Sequence, residues 1–186
     1  MPMAGSAVVD LHSGLRQGKN MTRTTVLRGA LVLALASATA FGQEATYNIR
    51  TLTPDTALKV AQAALKACRD SGFQVAVAVV DRSGLAQVML RDRFAGAHTP
   101  NSAMGKAWTA VSFRSGTGAM AAETQPGKPA SGIRQLPNVV MVGGGLPIES
   151  SGSILGGVGV SGTPSGDLDD KCAQAGIDAI KDALEL

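Results

Sequence analysis

Residues 74–114 read QVAVAVVDRSGLAQVMLRDRFAGAHTPNSAMGKAWTAVSFR, and the fold can be worked out from here. Gln74 to Val80 is apolar on both faces of an extended chain, which predicts a strand in the middle of a sheet, covered on both sides. Asp81 to Gly84 has the composition of a tight turn. Leu85 to Leu90 then returns as a second strand, so the pattern predicts an antiparallel β-hairpin.

A polar loop and a helix complete this stretch. The loop, Arg91 to Asn101, contains His98 between glycine and proline residues. Either Asn101 or Ser102 can cap the helix that follows, and that helix is expected to end near Phe113. Helical spacing predicts an inward face made of Met104, Ala107, Trp108, Val111 and Ser112.

Two further long helices are predicted, one at each end of the domain. Thr53-Pro54-Asp55 supplies an N-cap, a first-turn proline and a first-turn acid, and Gly72 supplies the stop. Asp167 to Leu184 is predicted as the closing helix. The apolar stripes are Leu58, Ala61, Leu65 and Cys68 in the first helix and Leu168, Cys172, Ile180 and Leu184 in the last.

The segment between the second and last long helices mixes short elements with glycine. A short helix is predicted over Ser115 to Gln125 and a Gly/Pro-rich mobile loop over Pro126 to Pro137. Strands are predicted over Val139 to Val142, at a sheet edge over Leu146 to Ile148, and over Ser153 to Val160. Glycines in this last strand indicate that a ligand, a helix or a subunit approaches its backbone closely.

This order of elements predicts an α/β fold. Hairpins indicate a mainly antiparallel sheet, and strands that are apolar on both faces need helices on both sides. We therefore expect a three-layer α/β/α sandwich. If the first and last helices pack antiparallel, Cys68 and Cys172 come near each other. They form either a disulfide or two small buried core residues.

The first 42 residues are predicted to be a leader. Residues 1–20 have no organised pattern and are interpreted as a misassigned upstream extension. Residues 21–42 have a positive start, a short apolar run and small residues at the end, as in a secretory signal peptide. One domain, residues 43–186, is then expected in the periplasm or outside the cell.

The charge of that domain excludes one class of partner. The full chain has 17 basic and 14 acidic residues. Four of the basic residues and one of the acidic residues lie in residues 1–42, so residues 43–186 carry no net charge. We therefore predict no binding to nucleic acid and no electrostatic binding to an anionic membrane.

Most motifs that carry chemistry are absent or incomplete. Gly143 to Gly145 follows a predicted strand but lacks the GK[ST] ending of a phosphate-binding loop, so a structural turn is favoured. Ser161 sits in a sequence similar to a nucleophile elbow but has Thr163 where the pattern requires glycine. No zinc, calcium or covalent-haem pattern is present. Acidic residues at the start of the last helix are explained by the helix dipole.

His98 is the residue that these exclusions leave. It lies in a loop flanked by glycine and proline, beside a predicted sheet edge. Neutral imidazole is the commonest protein ligand of haem iron, although a lone surface histidine often has no such role. The residues alone leave both interpretations open.

Five segments together resemble the GlcG-like and HbpS-like haem-binding proteins, also described as haem-degrading. They are VAVVDRSG at 77–84, GAHTPNSAMGKAWTA at 96–110, GGGLPI at 143–148, GGVGVSG at 156–162 and DKCAQAG at 170–176. The resemblance covers residues 53–180. It implies a profilin-like α/β/α fold and assembly into homo-oligomers. It also implies haem as a cofactor, and for some members a membrane-bound sensor as partner.

The resemblance also suggests site residues. It implies that His98 and Thr99 lie in the loop where haem-binding members contact the iron, with His98 as candidate axial and metal ligand. Lys106 belongs to a KA-x-TA pattern and could meet a propionate; its alternative role is a charge on the helix surface.

Two other functions stay open. Arg91 and Arg93 could join Lys106 in binding a small organic acid such as glycolate, without haem, because guanidinium and ammonium groups recognise carboxylates. A haem-degrading enzyme is less favoured, because no acid–base pair stands out. We assign no catalytic residue.

Overall fold

The computed structural model describes residues 45–185. Contacts divide the chain into a segment ending at Tyr47 and a compact unit from Asn48 to Leu186. The helices of this unit are α1 (Pro54–Asp70), α2 (Thr99–Phe113), α3 (Thr117–Glu123), α4 (Gly166–Asp178) and α5 (Lys181–Leu184), with a 3-10 turn at Ser131–Gln135. The strands are β1 (Ala76–Asp81), β2 (Ala86–Arg91), β3 (Gly145–Ser150) and β4 (Ser153–Ser161).

The four strands form one antiparallel sheet in the order β2-β1-β4-β3. The hairpin is confirmed, because β1 pairs with β2 and lies inside the sheet. Ala76 pairs with Arg91 on one side and with Ser161 on the other. The start of β1 and the ends of β2 and β4 therefore lie at the same end of the sheet.

Helices cover both faces of this sheet, so the predicted three-layer α/β/α sandwich is confirmed. On one face, α1 and α4 pack with Val77, Val79 and Val158 in the larger apolar core. On the other face, α2 packs through alanines against Ala76 and Ala78. Burying these apolar side chains stabilises the fold by roughly 25 cal/mol per Å² of apolar surface.

Glycines in β4 let the backbone of α2 lie directly on the sheet. A Cβ at Gly159 would lie 2.0 Å from the carbonyl oxygen of Ala103, and one at Gly157 would lie 3.0 Å from that of Ala107. The close approach predicted from these glycines is confirmed, and the partner is a helix.

The ends of α1 are as predicted. The Thr53 side chain accepts a hydrogen bond from the Thr56 N–H at 3.2 Å, and Gly72 follows the helix with φ of +82°. Leu58 is an exception to the predicted stripe, because it is 38% exposed at the edge of the buried face.

The start of α2 differs from the prediction of an Asn101 or Ser102 cap. The helix begins at Thr99, because the Ser102 N–H already donates to the His98 carbonyl at 3.0 Å. Its buried face is also rotated from the predicted one. Ala107 and Val111 are buried with Ala103 and Ala110, whereas Met104 and Trp108 are half-buried and Ser112 is exposed.

The predicted strand over Val139 to Val142 is wrong. The Val140 N–H donates to the Thr109 hydroxyl on α2 at 3.0 Å, and the Val140 side chain packs against Gly105. The segment therefore packs on helix α2 and does not pair with a strand.

The closing helix is shorter than predicted. It ends at Asp178, where the Ile180 N–H donates to the Ile177 carbonyl.

Cys68 and Cys172 form a disulfide between α1 and α4, with their Cα atoms 5.5 Å apart. Both residues are buried. Of the two alternatives, a disulfide or two small core residues, the structure has the disulfide. This bond joins the two helices of one layer across 104 residues of sequence.

The extension at 1–20 and the signal peptide at 21–42 lie outside the described residues. Within residues 45–185, no helix is long and apolar enough to cross a membrane.

Candidate functional site

A cavity of about 390 Å³ opens at the end of the sheet where β4 finishes. We call it the His98 cavity. Its walls come from the loop before α2, the inner side of α2, residues Val140 and Val142, and the turn between β4 and α4. Three of the predicted site residues line it, namely His98, Thr99 and Lys106.

His98 lies at the N-cap position of α2, and its side chain is exposed and makes no capping hydrogen bond. Its imidazole lies beside Gly96, where an added Cβ would be 2.8 Å from the ring. Glycine at this position therefore leaves room for the ring beside the loop backbone. The imidazole forms no hydrogen bond with any residue between 45 and 185, so its nitrogens are available to a ligand.

Thr99 has a structural role in the loop. Its side chain is buried, and its hydroxyl donates to the Gly96 carbonyl at 2.8 Å. The Thr99 N–H donates to the same carbonyl at 3.0 Å. These two bonds hold the loop that carries His98 in a tight turn at the start of α2.

Lys106 is buried and not a surface charge, so its alternative role in the sequence prediction is wrong. Its Nζ donates to Asp169 Oδ2 at 2.7 Å and to the Val160 carbonyl at 2.9 Å, and both charged side chains are at most 4% exposed. The other carboxylate oxygen, Asp169 Oδ1, accepts from the Thr163 N–H at 3.1 Å. The charge of Lys106 is thus compensated inside the protein.

The glycine loop before β3 closes over this ion pair. Gly144 has φ of +115°, and a Cβ there would lie 2.9 Å from Lys106 Nζ. Its N–H donates to Asp170 Oδ1 at 2.6 Å. Burial raises the pKa of Asp170 above its usual value, and this hydrogen bond and the Lys106 charge act against that rise. The interpretation of Gly143 to Gly145 as a structural turn agrees with this geometry.

Arg91 and Arg93 do not lie with Lys106. They line a separate cavity, together with Arg69 and Asp92. The structure therefore divides the predicted site residues into two groups, with His98, Thr99 and Lys106 in one and Arg91 and Arg93 in the other.

The sequence prediction missed Asp169, the buried partner of Lys106. Acidic residues at a helix start are expected from the dipole alone, so Asp169 resembles its exposed neighbour Asp167 in sequence. The signal that could have found Asp169 is Lys106 itself, because a lysine buried in the core needs a counter-ion. Sequence alone does not place a residue 63 positions away next to it.

The His98 cavity can hold a ligand that offers a metal ion to an imidazole. Val140 and Val142 supply apolar wall, and hydroxyls of Ser102 and Ser161 supply polar groups. Within residues 45–185, no group of three or more metal-ligating side chains exists.

Comparison with known proteins places the chain in a family. The family described as "Haem degrading protein HbpS-like" matches residues 52–178, and the chain belongs to that family, as the sequence resemblance predicted.

Individual proteins similar to this chain are consistent with that family. The structure of an HbpS double mutant from Streptomyces reticuli has a TM-score of 0.69 and 39% identity, covering 76% of this chain and 94% of that one. A PduOC–haem complex has a TM-score of 0.65 and 30% identity, covering 70% and 95%. A 15.0 kDa uncharacterised protein of Citrobacter freundii is 36% identical over 62% of this chain and 82% of its own.

Proposed function

We propose that this protein binds haem in the His98 cavity, with His98 as an axial ligand of the iron. The observation that carries the proposal is the exposed His98 imidazole at the mouth of a cavity with apolar wall. Neutral imidazole is a strong ligand for haem iron, and its coordination would shift the Soret band of the bound porphyrin, which makes the ligation observable. Membership of the HbpS-like family and the haem complex of PduOC support the same ligand.

The cavity suits one edge of a porphyrin. Its volume is at the low end of the range for small-molecule sites, and it is open to the surface. Val140 and Val142 can contact the ring, while the Thr99 hydroxyl holds the loop that carries His98. Because Lys106 is paired with Asp169, it contributes at most the remaining donor of its ammonium group.

We also propose that the protein works after export, in an oxidising compartment. The predicted signal peptide at 21–42 motivates this, and the Cys68–Cys172 disulfide supports it, because such bonds persist outside the reducing cytosol. Assembly into homo-oligomers and a membrane sensor partner stay predictions from the family resemblance. No catalytic step is part of this proposal.

A haemin titration tests the assignment. Wild type should give a saturable Soret shift, and His98→Ala should weaken binding at least about tenfold, since one coordination bond is lost. His98→Asn is the second variant, because asparagine caps a helix start well but does not replace the imidazole. Ser83→Ala is the control, because Ser83 is exposed and lies outside the cavity, so this variant should bind haemin as wild type does.

Each outcome decides between functions. Equal haemin affinity in wild type and both His98 variants would contradict the ligand assignment. No saturable change with wild type would contradict haem binding itself and leave the small organic acid as the function to test.

A further inference from the structure

A second cavity, of about 330 Å³, lies at the same end of the sheet as the His98 cavity. We call it the arginine cavity. It forms where α1 ends, β1 begins and β2 ends, and it is lined by Arg69, Gln74, Arg91, Asp92, Arg93 and Phe94. The lining thus contains three arginines and a single carboxylate, so positive charge is in excess there.

Both oxygens of the one carboxylate, Asp92, already have partners. Asp92 is 4% exposed, and its Oδ1 accepts from Arg69 Nε at 2.7 Å and from a second Arg69 nitrogen at 2.5 Å. Asp92 Oδ2 accepts from the Val75 N–H at 3.2 Å. Two nitrogens of the Arg69 guanidinium thus contact one Asp92 oxygen, and this ion pair already compensates the charge of Asp92.

Arg91 and Arg93 keep most of their donors free. One Arg91 nitrogen donates to the Ala95 carbonyl. The Arg93 guanidinium lies 5.8 Å from the centroid of the Phe94 ring, which is 79% exposed. Within residues 45–185, neither arginine forms an ion pair with an acidic side chain. Arg91 is therefore held by one backbone contact, and Arg93 lies beside the aromatic ring.

We propose that the arginine cavity binds a carboxylate group carried on an apolar body. Guanidinium groups bind carboxylates through paired, charge-assisted hydrogen bonds, as Arg69 already does with Asp92. The exposed Phe94 ring beside the arginines offers apolar contact to the rest of the ligand. That ring favours an organic carboxylate over a small hydrated inorganic anion.

Two sources can supply this carboxylate. Arg91 and Ser161 both pair with Ala76, so their Cα atoms are two strand spacings apart, about 10 Å. The group can therefore belong to a separate organic acid or to a propionate of a haem held at His98. The second source rests on the proposed function, and the first does not.

The first test uses sodium benzoate as the probe, titrated calorimetrically into the whole protein at low ionic strength, because salt screens exposed charges. Wild type should bind benzoate, and Arg91→Gln/Arg93→Gln should lose at least about tenfold in affinity. Benzamide, which has the same shape without the charge, should not bind. Arg69 is kept, since removing it would leave Asp92 buried without its partner.

The matched control is Arg50→Gln/Arg82→Gln. It removes the same net charge from two exposed arginines away from the cavity, so it should bind benzoate as wild type does. An equal loss in both double variants would mean a general charge effect and would overturn the proposal.

The second test compares haemin with haemin dimethyl ester. If the carboxylate is a propionate, the arginine double variant should bind haemin at least about tenfold more weakly and bind the ester with unchanged affinity. His98 is intact in this variant, so a failure here is distinct from a failure of iron ligation. The proposal is overturned if neither benzoate nor haemin affinity depends on Arg91 and Arg93.

Discussion

Lys106 has its ammonium group in the protein interior, where a charge is stable only with a partner. The ammonium group donates hydrogen bonds to Asp169 and to the Val160 carbonyl, and the Gly144 backbone covers this ion pair. The pair ties α2 to the start of α4 and holds the floor of the His98 cavity in one arrangement. Its contribution is therefore to position the site as well as to stabilise the fold.

Lys106→Met should lower the free energy of unfolding by about 3–5 kcal/mol, because Asp169 is then left buried without a counter-charge. Urea denaturation followed by circular dichroism measures this. Lys66→Met is the matched control, because Lys66 pairs with Asp70 on the surface of α1, and such pairs contribute less than about 1 kcal/mol.

The double variant Lys106→Met/Asp169→Leu separates pairing from packing. It should be more stable than Lys106→Met alone, because no unpaired charge remains. Asp169→Leu alone completes the comparison, and a double-variant loss equal to the sum of the two single losses would show that the residues act independently.

At the level of elements, the contact between α2 and β4 decides where the His98 loop lies. Alanines on α2 meet glycines on β4, so the helix backbone approaches the sheet closely. The His98 loop precedes the first turn of this helix. Any change that pushes α2 outward should therefore move His98 away from the turn at Ser161 to Ser165.

Gly159→Ala should destabilise the protein by about 3 kcal/mol, because the new methyl group would overlap the Ala103 carbonyl. Gly132→Ala should change the free energy of unfolding by less than about 1 kcal/mol, because no atom lies within 4 Å of the position of its Cβ. Urea denaturation of both variants beside wild type checks this contrast. Equal stability of the two variants would contradict the close packing of α2 on β4.

At the scale of the whole molecule, the Cys68–Cys172 disulfide joins the two helices that cover one face of the sheet. It closes a loop of 104 residues, which contains the hairpin, α2 and all of β3 and β4. Cross-linking so long a loop restricts the unfolded chain strongly. The bond therefore stabilises the molecule that carries both cavities.

Cys68→Ala/Cys172→Ala should lower the free energy of unfolding by about 5 kcal/mol, as expected for a loop of this length. Urea denaturation of the oxidised wild type and the double variant measures the difference. Reductant should weaken the wild type and leave the double variant unchanged. If reductant has the same effect on both, the stabilisation does not come from this bond.

Much of the fold could be predicted from the sequence because its signals are local. The turn at Asp81 to Gly84 lies within four residues, and the Thr53 cap and the Gly72 stop lie within one or two turns of α1. Strand β1, apolar on both faces, predicted a sheet covered on both sides. The predicted strand at Val139 to Val142 failed because Thr109, thirty-one residues earlier, binds its backbone.

The sequence by itself determined the three-layer architecture, the hairpin, the close approach to β4 and the place of His98 in a loop. Only the tertiary structure decided that Lys106 is buried against Asp169, that Arg91 and Arg93 face a different cavity, and that the two cysteines are bonded. The physical reason is distance along the chain. Periodicity, caps and turns depend on neighbouring residues, whereas ion pairs, cavities and disulfides depend on which distant segments the packing brings together.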